Sequence, residues 1–269
     1  FAVAAGVKVV PVTSYIKDGF ALPPIAALEE KITSRTKAIL ICNPNNPTGY
    51  LYSRSELETL KNIVQKHGLF LFSDEAYREF CYTGTHFNAM QLEGVDENVI
   101  LLDTISKRYS SCGARIGTLI SKNKQVLETA IKFAQARLSP PSFGQIAGEA
   151  ALDLPADYFD ATKAEYQLRR DTLVARLNKI PGVFCPNPGG AFYAMAQLPV
   201  DDSDRFCQWI LESFSYEGQT VMMAPGTGFY GTPGLGKQEV RFAYVLNTNA
   251  IHKAMDCLEK ALEVYKRLV

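Results

Sequence analysis

The chain has 269 residues, 47% of them apolar, enough for a large buried core in one or two domains. Lysine plus arginine and aspartate plus glutamate are both 28, so no global charge draws it to nucleic acid or to an anionic membrane surface. Small molecules or further protein subunits are the expected partners.

The cysteines at 42, 81, 112, 185, 207 and 257 form no CxxC pair, and with only three histidines the sequence carries no metal-site pattern, so no metal is expected. Free thiols fit a reducing compartment, and the cytoplasm is the expected location. The opening "FAVAAGVKVVPV" has no basic leader and no small-residue cleavage site, and Lys8 interrupts it; it reads as structure rather than as a signal peptide. No apolar run approaches the roughly 18 residues of a membrane span. There is no initiator methionine, and the first residues already read as helix end, turn and strand, so the chain is expected to begin inside a longer protein.

In chain order, "KVVPV" predicts a strand, and "PPIAALEEKITS" a helix opened by prolines. "KAILIC" predicts the next strand. A second helix opens at a capping box, Ser53 with Glu56 three residues on, and stops near Gly68. "LFLFSDE" follows, then an irregular stretch, then "NVILLD" and "GTLIS". Helices are expected over 123–138, about 142–152 and about 155–180, with a domain boundary inside the last of these. This divides the chain into a large unit, 1–165, and a smaller one, 166–269. The smaller unit reads as "GGAFYAMAQL", a helix over 202–216, "TVMMAP", "EVRFAYV" and a closing helix from about 249. Alternating strands and helices in the first part predict an α/β fold with a mainly parallel sheet, helices on both faces, and an α+β C-terminal unit. There is no internal repeat.

Three consecutive strands end in unusual polar chemistry: "KAILIC" in "NPNNPTG", "LFLFS" in "DEAY", and "NVILLD" in "TISK". In open α/β sheets ligands sit just outside the carboxyl ends of strands, so the three stations are placed to converge on one small molecule. They bring an amide, a carboxylate, a phenol, a hydroxyl and an amine. A lysine together with a carboxylate is what a cofactor needs if it forms a Schiff base to lysine and requires a protonated pyridine nitrogen, and that cofactor is pyridoxal 5'-phosphate.

"NPNNPTG", "SDEAY", "SKRYSSCGARIG" and "VRFAY", in this order, resemble the signature blocks of the fold type I, class I/II aminotransferases, and more closely their aspartate aminotransferase-like branch. The resemblance covers nearly the whole chain. It implies that Lys107 carries the Schiff base and shuttles the substrate α-proton. To act as a base the amine must be neutral, which asks the site to depress its pKa by desolvation and nearby positive charge. Asp74 would keep the pyridine nitrogen protonated, and Asn46 and Tyr77 would hydrogen-bond the ring phenolate. Thr104, Ser106 and Arg115, eight residues past the lysine, would hold the phosphate. Arg241 would grip the substrate α-carboxylate through a two-pronged pair. The implied activity is amino-group transfer from an amino acid to a 2-oxo acid, in a homodimer of the full-length protein. "GGAFYAM" points to Phe192 or Tyr193 as a pocket wall, and Cys112 reads as a small buried residue without a role.

Taken singly, each block has a plainer reading: a turn-rich loop for "NPNNPTG", a helix cap for Asp74, a packing residue for Tyr77, surface charges for Lys107 and Arg241. Two competing motifs lie in "APGTGFYGTPGLGKQEV". Gly226, Gly228 and Gly231 match GxGxxG, while Gly231, Gly236 and Lys237 match most of a P-loop. A phosphate cradle needs a helix directly afterwards, but a strand follows, and Gln238 replaces the P-loop hydroxyl. These glycines are expected to shape a mobile loop at the mouth of the site. Two further readings stay open: a lyase on an amino acid, which shares the lysine and the electron sink, and a non-catalytic aminotransferase-like regulatory module. The resemblance also implies that the chain opens after the family's phosphate loop and cofactor-stacking ring. Weak cofactor retention and exposed apolar faces favouring self-association are therefore expected.

Overall fold

The computed structural model describes residues 2–268. In chain order the elements are α1 (Ile25–Glu29), β1 (Ala38–Cys42), α2 (Arg54–His67), β2 (Phe70–Asp74), β3 (Val99–Thr104), α3 (Ile105–Arg108), β4 (Gly117–Ile120), α4 (Lys124–Arg137) and α5 (Ser142–Ala150). They continue with α6 (Ala156–Leu177), β5 (Tyr193–Gln197), α7 (Ser203–Glu212), β6 (Ala224–Pro225), β7 (Glu239–Ala243) and α8 (Thr248–Tyr265). This is the expected α/β architecture.

The first sheet has the order β1-β2-β3-β4, with β1, β2 and β3 parallel and β4 antiparallel at the edge. Its register sets Cys42 beside Asp74 and Asp74 beside Leu102, so β1 and β2 finish at one level and β3 runs two residues further, to Thr104. Whatever polar residues follow them emerge side by side. One face is covered by α2, whose Leu57, Leu60, Ile63 and Val64 share a core with Ile41, Leu71 and Val99. The predicted capping box forms: Ser53 accepts from the Glu56 N–H while the Glu56 carboxylate accepts from the Ser53 N–H at 2.8 Å. Gly68, with φ +63°, closes the helix in the left-handed conformation that glycine adopts without strain.

The second sheet is antiparallel, in the order β5-β7-β6. Its core joins Ala194, Ala196, Val240 and Phe242 to Leu173 and Leu177 of α6, Phe206 and Ile210 of α7, and Leu258 and Leu262 of α8. Tyr77 and Phe80, from the segment after β2, belong to this same core, so the end of the first sheet is anchored on the second. The seam is backbone on backbone: Ala191 N donates to Phe80 O at 2.8 Å, and Gly190 N to Gly49 O at 2.8 Å.

Several expectations are corrected. "KVVPV" is not a strand: Val7, Val9 and Val10 are exposed, and residues 8–14 donate no backbone hydrogen bond among the described residues. Pro11 lacks an N–H, and a run containing proline forms a strand only at a paired edge, which is not available here. The first helix ends at Glu29, where the Thr33 N–H finds the Thr36 hydroxyl at 2.9 Å, a local turn that competes with helix. Of "TVMMAP" only Ala224–Pro225 pairs; the alternation that mimicked a longer strand reflects Val221 and Met223 turned into the core and Met222 turned out. Cys112 is exposed, because its turn stands clear of both cores.

Candidate active site

Each predicted site residue sits where a strand of the first sheet ends, except Arg115 and Arg241. After β1 the chain makes a turn fixed by its asparagines. Asn43 is fully buried and accepts from Tyr52 N at 3.1 Å, and the Asn45 carboxamide accepts from the Thr48 hydroxyl at 2.8 Å. Asn46 is left to face the site, donating to the Tyr77 hydroxyl at 3.4 Å and accepting from Arg241 Nη1 at 3.0 Å. The turn can seat there because Gly49 and Gly190 lack side chains. A Cβ on Gly49 would lie 2.4 Å from Pro188 Cβ, and one on Gly190 2.6 Å from Phe80 O.

After β2, the Asp74 carboxylate accepts from Ala76 N at 3.1 Å, which starts the turn that aims Tyr77 inward. Tyr77 is buried, and desolvation, then its contact with Tyr193, pushes its phenol well above the ordinary range, so it remains a proton donor. After β3, Thr104 caps the four-residue α3, its hydroxyl accepting from Ser106 N at 3.1 Å and lying 2.7 Å from the Ser106 hydroxyl. Lys107 extends from this turn of helix. Its Nζ stands 5.9 Å from the centre of the Tyr77 ring and 5.8 Å from that of Phe192. No carboxylate lies within ion-pair distance of it among the described residues. Arg115 is exposed, adopts φ +58°, and donates to Cys112 O at 2.8 Å; no hydrogen bond joins its guanidinium to Thr104 or Ser106 among the described residues.

The structure therefore brings Asn46, Tyr77, Lys107 and Arg241 together, sets Asp74 one strand end away, pairs Thr104 with Ser106, and leaves Arg115 apart. Sequence reasoning named Tyr193 as a pocket wall but missed its contact with Arg241, and it passed over Phe229, Arg78, Arg108, Glu75 and His86. The Arg241 guanidinium carbon stands against two rings, 4.6 Å from the centre of Tyr193 and 4.8 Å from that of Phe229, and the Tyr193 hydroxyl meets the Tyr77 hydroxyl at 3.2 Å. Phe229 comes from the glycine-rich loop. In that loop Gly226 and Gly236 press backbone to backbone, a Cβ on Gly236 falling 2.7 Å from Gly226 C, and the chain then enters β7, so no helix N-terminus faces an anion there. Beside Lys107, Arg78 pairs with Asp103 at 3.1 Å and Arg108 pairs with Glu79, tying the segment after β2 to α3. Next to Asp74, Glu75 is fully buried; desolvation pushes its carboxyl up to about 7 against the opposing bonds from Ala89 N and Ser73. His86, 3.4 Å from Glu75, is pushed down by desolvation.

Pyridoxal phosphate demands an unpaired amine, an anion for its ring nitrogen, donors for its ring oxygen, hydroxyls for its phosphate and a cation for the substrate carboxylate. The donor set fits all five. Arg241 adds a specific sign, since its Nε is buried without a partner while its other edge is held on Asn46.

Comparison with known proteins agrees. The family model "Aminotransferase class I and II" matches residues 1–258. An aspartate aminotransferase of Pyrococcus horikoshii is 32% identical over 246 residues, covering 90% of this chain and 61% of the relative. Aromatic-amino-acid aminotransferase 2 of Thermococcus litoralis is 31% identical, covering 98% of this chain and 67% of the relative. The solved structure of an alanine aminotransferase from Pyrococcus furiosus superposes with a TM-score of 0.87 at 31% identity, covering 97% of this chain and 66% of that one. The chain spans 61% and 65% of the lengths of the two curated aspartate aminotransferases it matches from Pyrococcus horikoshii and Bacillus subtilis. With the ordered motifs, the strand-end convergence and the fold in agreement, the chain belongs to the class I and II aminotransferase family.

Proposed function

We propose that this chain carries the chemistry of a pyridoxal-phosphate-dependent transaminase, moving an amino group from an amino acid to a 2-oxo acid. Members of class I and II use pyridoxal phosphate. The observation that carries the reading is the unpaired Lys107 amine facing the Tyr77 and Phe192 rings, opposite the Asn46–Tyr77–Arg241 cluster. When bound, the cofactor supplies an electron sink for a substrate carbanion.

Lys107 Nζ is the point of covalent attachment and the group that takes and returns the proton at the substrate α-carbon. Asp74 holds a proton on the ring nitrogen by its charge. Asn46 and Tyr77 donate to the ring oxygen, and the buried Tyr77 keeps its proton to do so. Thr104, Ser106 and Arg115 hold the phosphate, which for Arg115 means leaving the Cys112 carbonyl. Arg241 receives the α-carboxylate on its free edge, where the two flanking rings fix its plane. The relatives are named for aspartate, aromatic amino acids and alanine.

The same reading divides the chain at about residue 165, inside α6, into a cofactor unit and a small C-terminal unit, in keeping with the two sheets. Homodimerisation is supported by exposed apolar residues on α4 and α5, among them Phe133 at 74%, Phe143 at 88% and Ile146 at 62%. A reducing, cytoplasmic setting is supported by six free thiols among the described residues. No helix of the described residues is long and apolar enough to cross a membrane.

The test is borohydride reduction in the presence of pyridoxal phosphate, followed by peptide mapping, together with assay of the keto acid formed from an added amino acid. Label on Lys107 and a 2-oxo acid with retained carbon skeleton are expected. Label on another lysine, or a product formed by elimination, overturns the assignment.

A further inference from the structure

The catalytic cluster contains one side chain that touches both of its halves. Tyr193 lies on β5, opposite Ala243 of β7 in the antiparallel register, so Arg241 is its diagonal neighbour on the same face of the sheet. That geometry places the Tyr193 ring beside the guanidinium, 4.6 Å from centre to carbon. The hydroxyl at the other end of the ring meets the Tyr77 hydroxyl at 3.2 Å. Tyr193 is buried, packed edge-on against Tyr77 with ring centres 5.6 Å apart and tilted against Phe192 at 4.9 Å, so neither end can move alone.

We propose that Tyr193 is a positioning residue that couples the carboxylate-binding arginine to the phenol of Tyr77. Its ring holds Arg241 in place together with Phe229, whose ring centre is 4.8 Å from the guanidinium carbon. Its hydroxyl lies 3.2 Å from the Tyr77 hydroxyl, within reach to donate to that oxygen once the Tyr77 proton turns to an acceptor in the site. With Asn46 Nδ2 also donating to that oxygen, the Tyr77 proton is free to point at an acceptor in the site. Donation into Tyr77 makes Tyr77 a stronger donor in turn. The inference rests on the transaminase reading, in which Tyr77 faces the cofactor's ring oxygen.

The two ends separate by mutation. Tyr193→Phe keeps the ring and loses the hydroxyl, Tyr193→Leu loses both, and Phe229→Leu removes only the other ring beside the arginine. Two readouts on the cofactor-loaded chain report the two ends without turnover: the absorbance titration of the bound chromophore with pH, and the dissociation constant of propionate, a carboxylate with no amino group. A donor at the ring oxygen stabilises the more negative protonation state. Tyr193→Phe should therefore raise the pH midpoint, by about one unit, and leave propionate affinity within about twofold. Tyr193→Leu should raise the midpoint equally and weaken propionate about fivefold. Phe229→Leu should weaken propionate and leave the midpoint in place. A Tyr193→Phe chain whose midpoint is unmoved, or a Tyr193→Leu chain that binds propionate as tightly as Tyr193→Phe, overturns the coupling while the Lys107 assignment stands. A wild-type chain whose chromophore is not attached through Lys107 overturns the transaminase reading, and the coupling with it.

Discussion

The seam between the two sheets should be sensitive to a single methyl group at Gly190. A Cβ built there lies 2.6 Å from Phe80 O, 2.6 Å from Pro44 Cβ and 2.7 Å from Pro44 Cγ. None of these atoms is the free end of a flexible side chain. The Phe80 ring is held by Tyr166 at 5.1 Å and Phe192 at 5.3 Å, and Gly190 itself is tied by its N–H to Gly49 O. Relief must come from backbone movement of the Asn43–Gly49 turn, so Gly190→Ala belongs at the upper end of overpacking costs, about 3 kcal/mol. For a chain of this size that corresponds to a fall in Tm of about 6–10 °C. Gly218→Ala is the control: Gly218 has φ +74° with nothing within 4 Å of an added Cβ, so it carries only left-handed strain, about 1 kcal/mol. Urea unfolding at one pH gives both values from the midpoints, provided the slopes agree. A Gly190→Ala cost no larger than that of Gly218→Ala would refute the packing account of the "GGAFY" glycines.

Further outcomes follow from the same geometry. Asp74→Asn keeps the bond to Ala76 N but removes the charge, and the first half-reaction with saturating amino acid should slow more than tenfold, about 1.4 kcal/mol, while cofactor retained after dialysis changes little; an unchanged rate refutes the electron-sink role. Glu75 has its carboxyl raised from 4.5 to about 7 in the folded chain, so its contribution to stability is fully present below pH 4.5 and lost as pH rises through 7, a change of about 3 kcal/mol. His86 is shifted down and acts in the opposite sense, so the quantity to measure is the difference between wild type and Glu75→Gln, which should grow in favour of the variant from pH 5 to pH 8; a difference flat with pH refutes the buried-acid assignment. Replacing Phe143 and Ile146 together by Asp should shift sedimentation of the chain toward monomer, since both side chains are exposed on α5, and an unchanged distribution places self-association elsewhere.

What could be read from the sequence was local or repeated along the chain. The capping box at Ser53 needs only residues three apart, and the strand ends at Cys42, Asp74 and Thr104 announce themselves because apolar runs stop abruptly in amides, carboxylates and hydroxyls. The failures fall where the deciding partner is distant. "KVVPV" has the composition of a strand but no neighbour to pair with, and Cys112 is small and apolar yet sits on a turn outside both cores. The surroundings of Arg241 were beyond local reading for the same reason. Its position on a strand was plain, but which rings would lie against it depended on the pairing of β5 with β7 and on the path of a loop whose glycines imitate a nucleotide motif. Those glycines serve close backbone approach at Gly226 and Gly236, and that approach carries Phe229 to the arginine. In the proposed function, the grip of Arg241 on a carboxylate would depend on residues 193 and 229, whose individual identities are ordinary for a core. Substitutions there that preserve hydrophobic volume but lose the flat ring should keep the fold and loosen the grip.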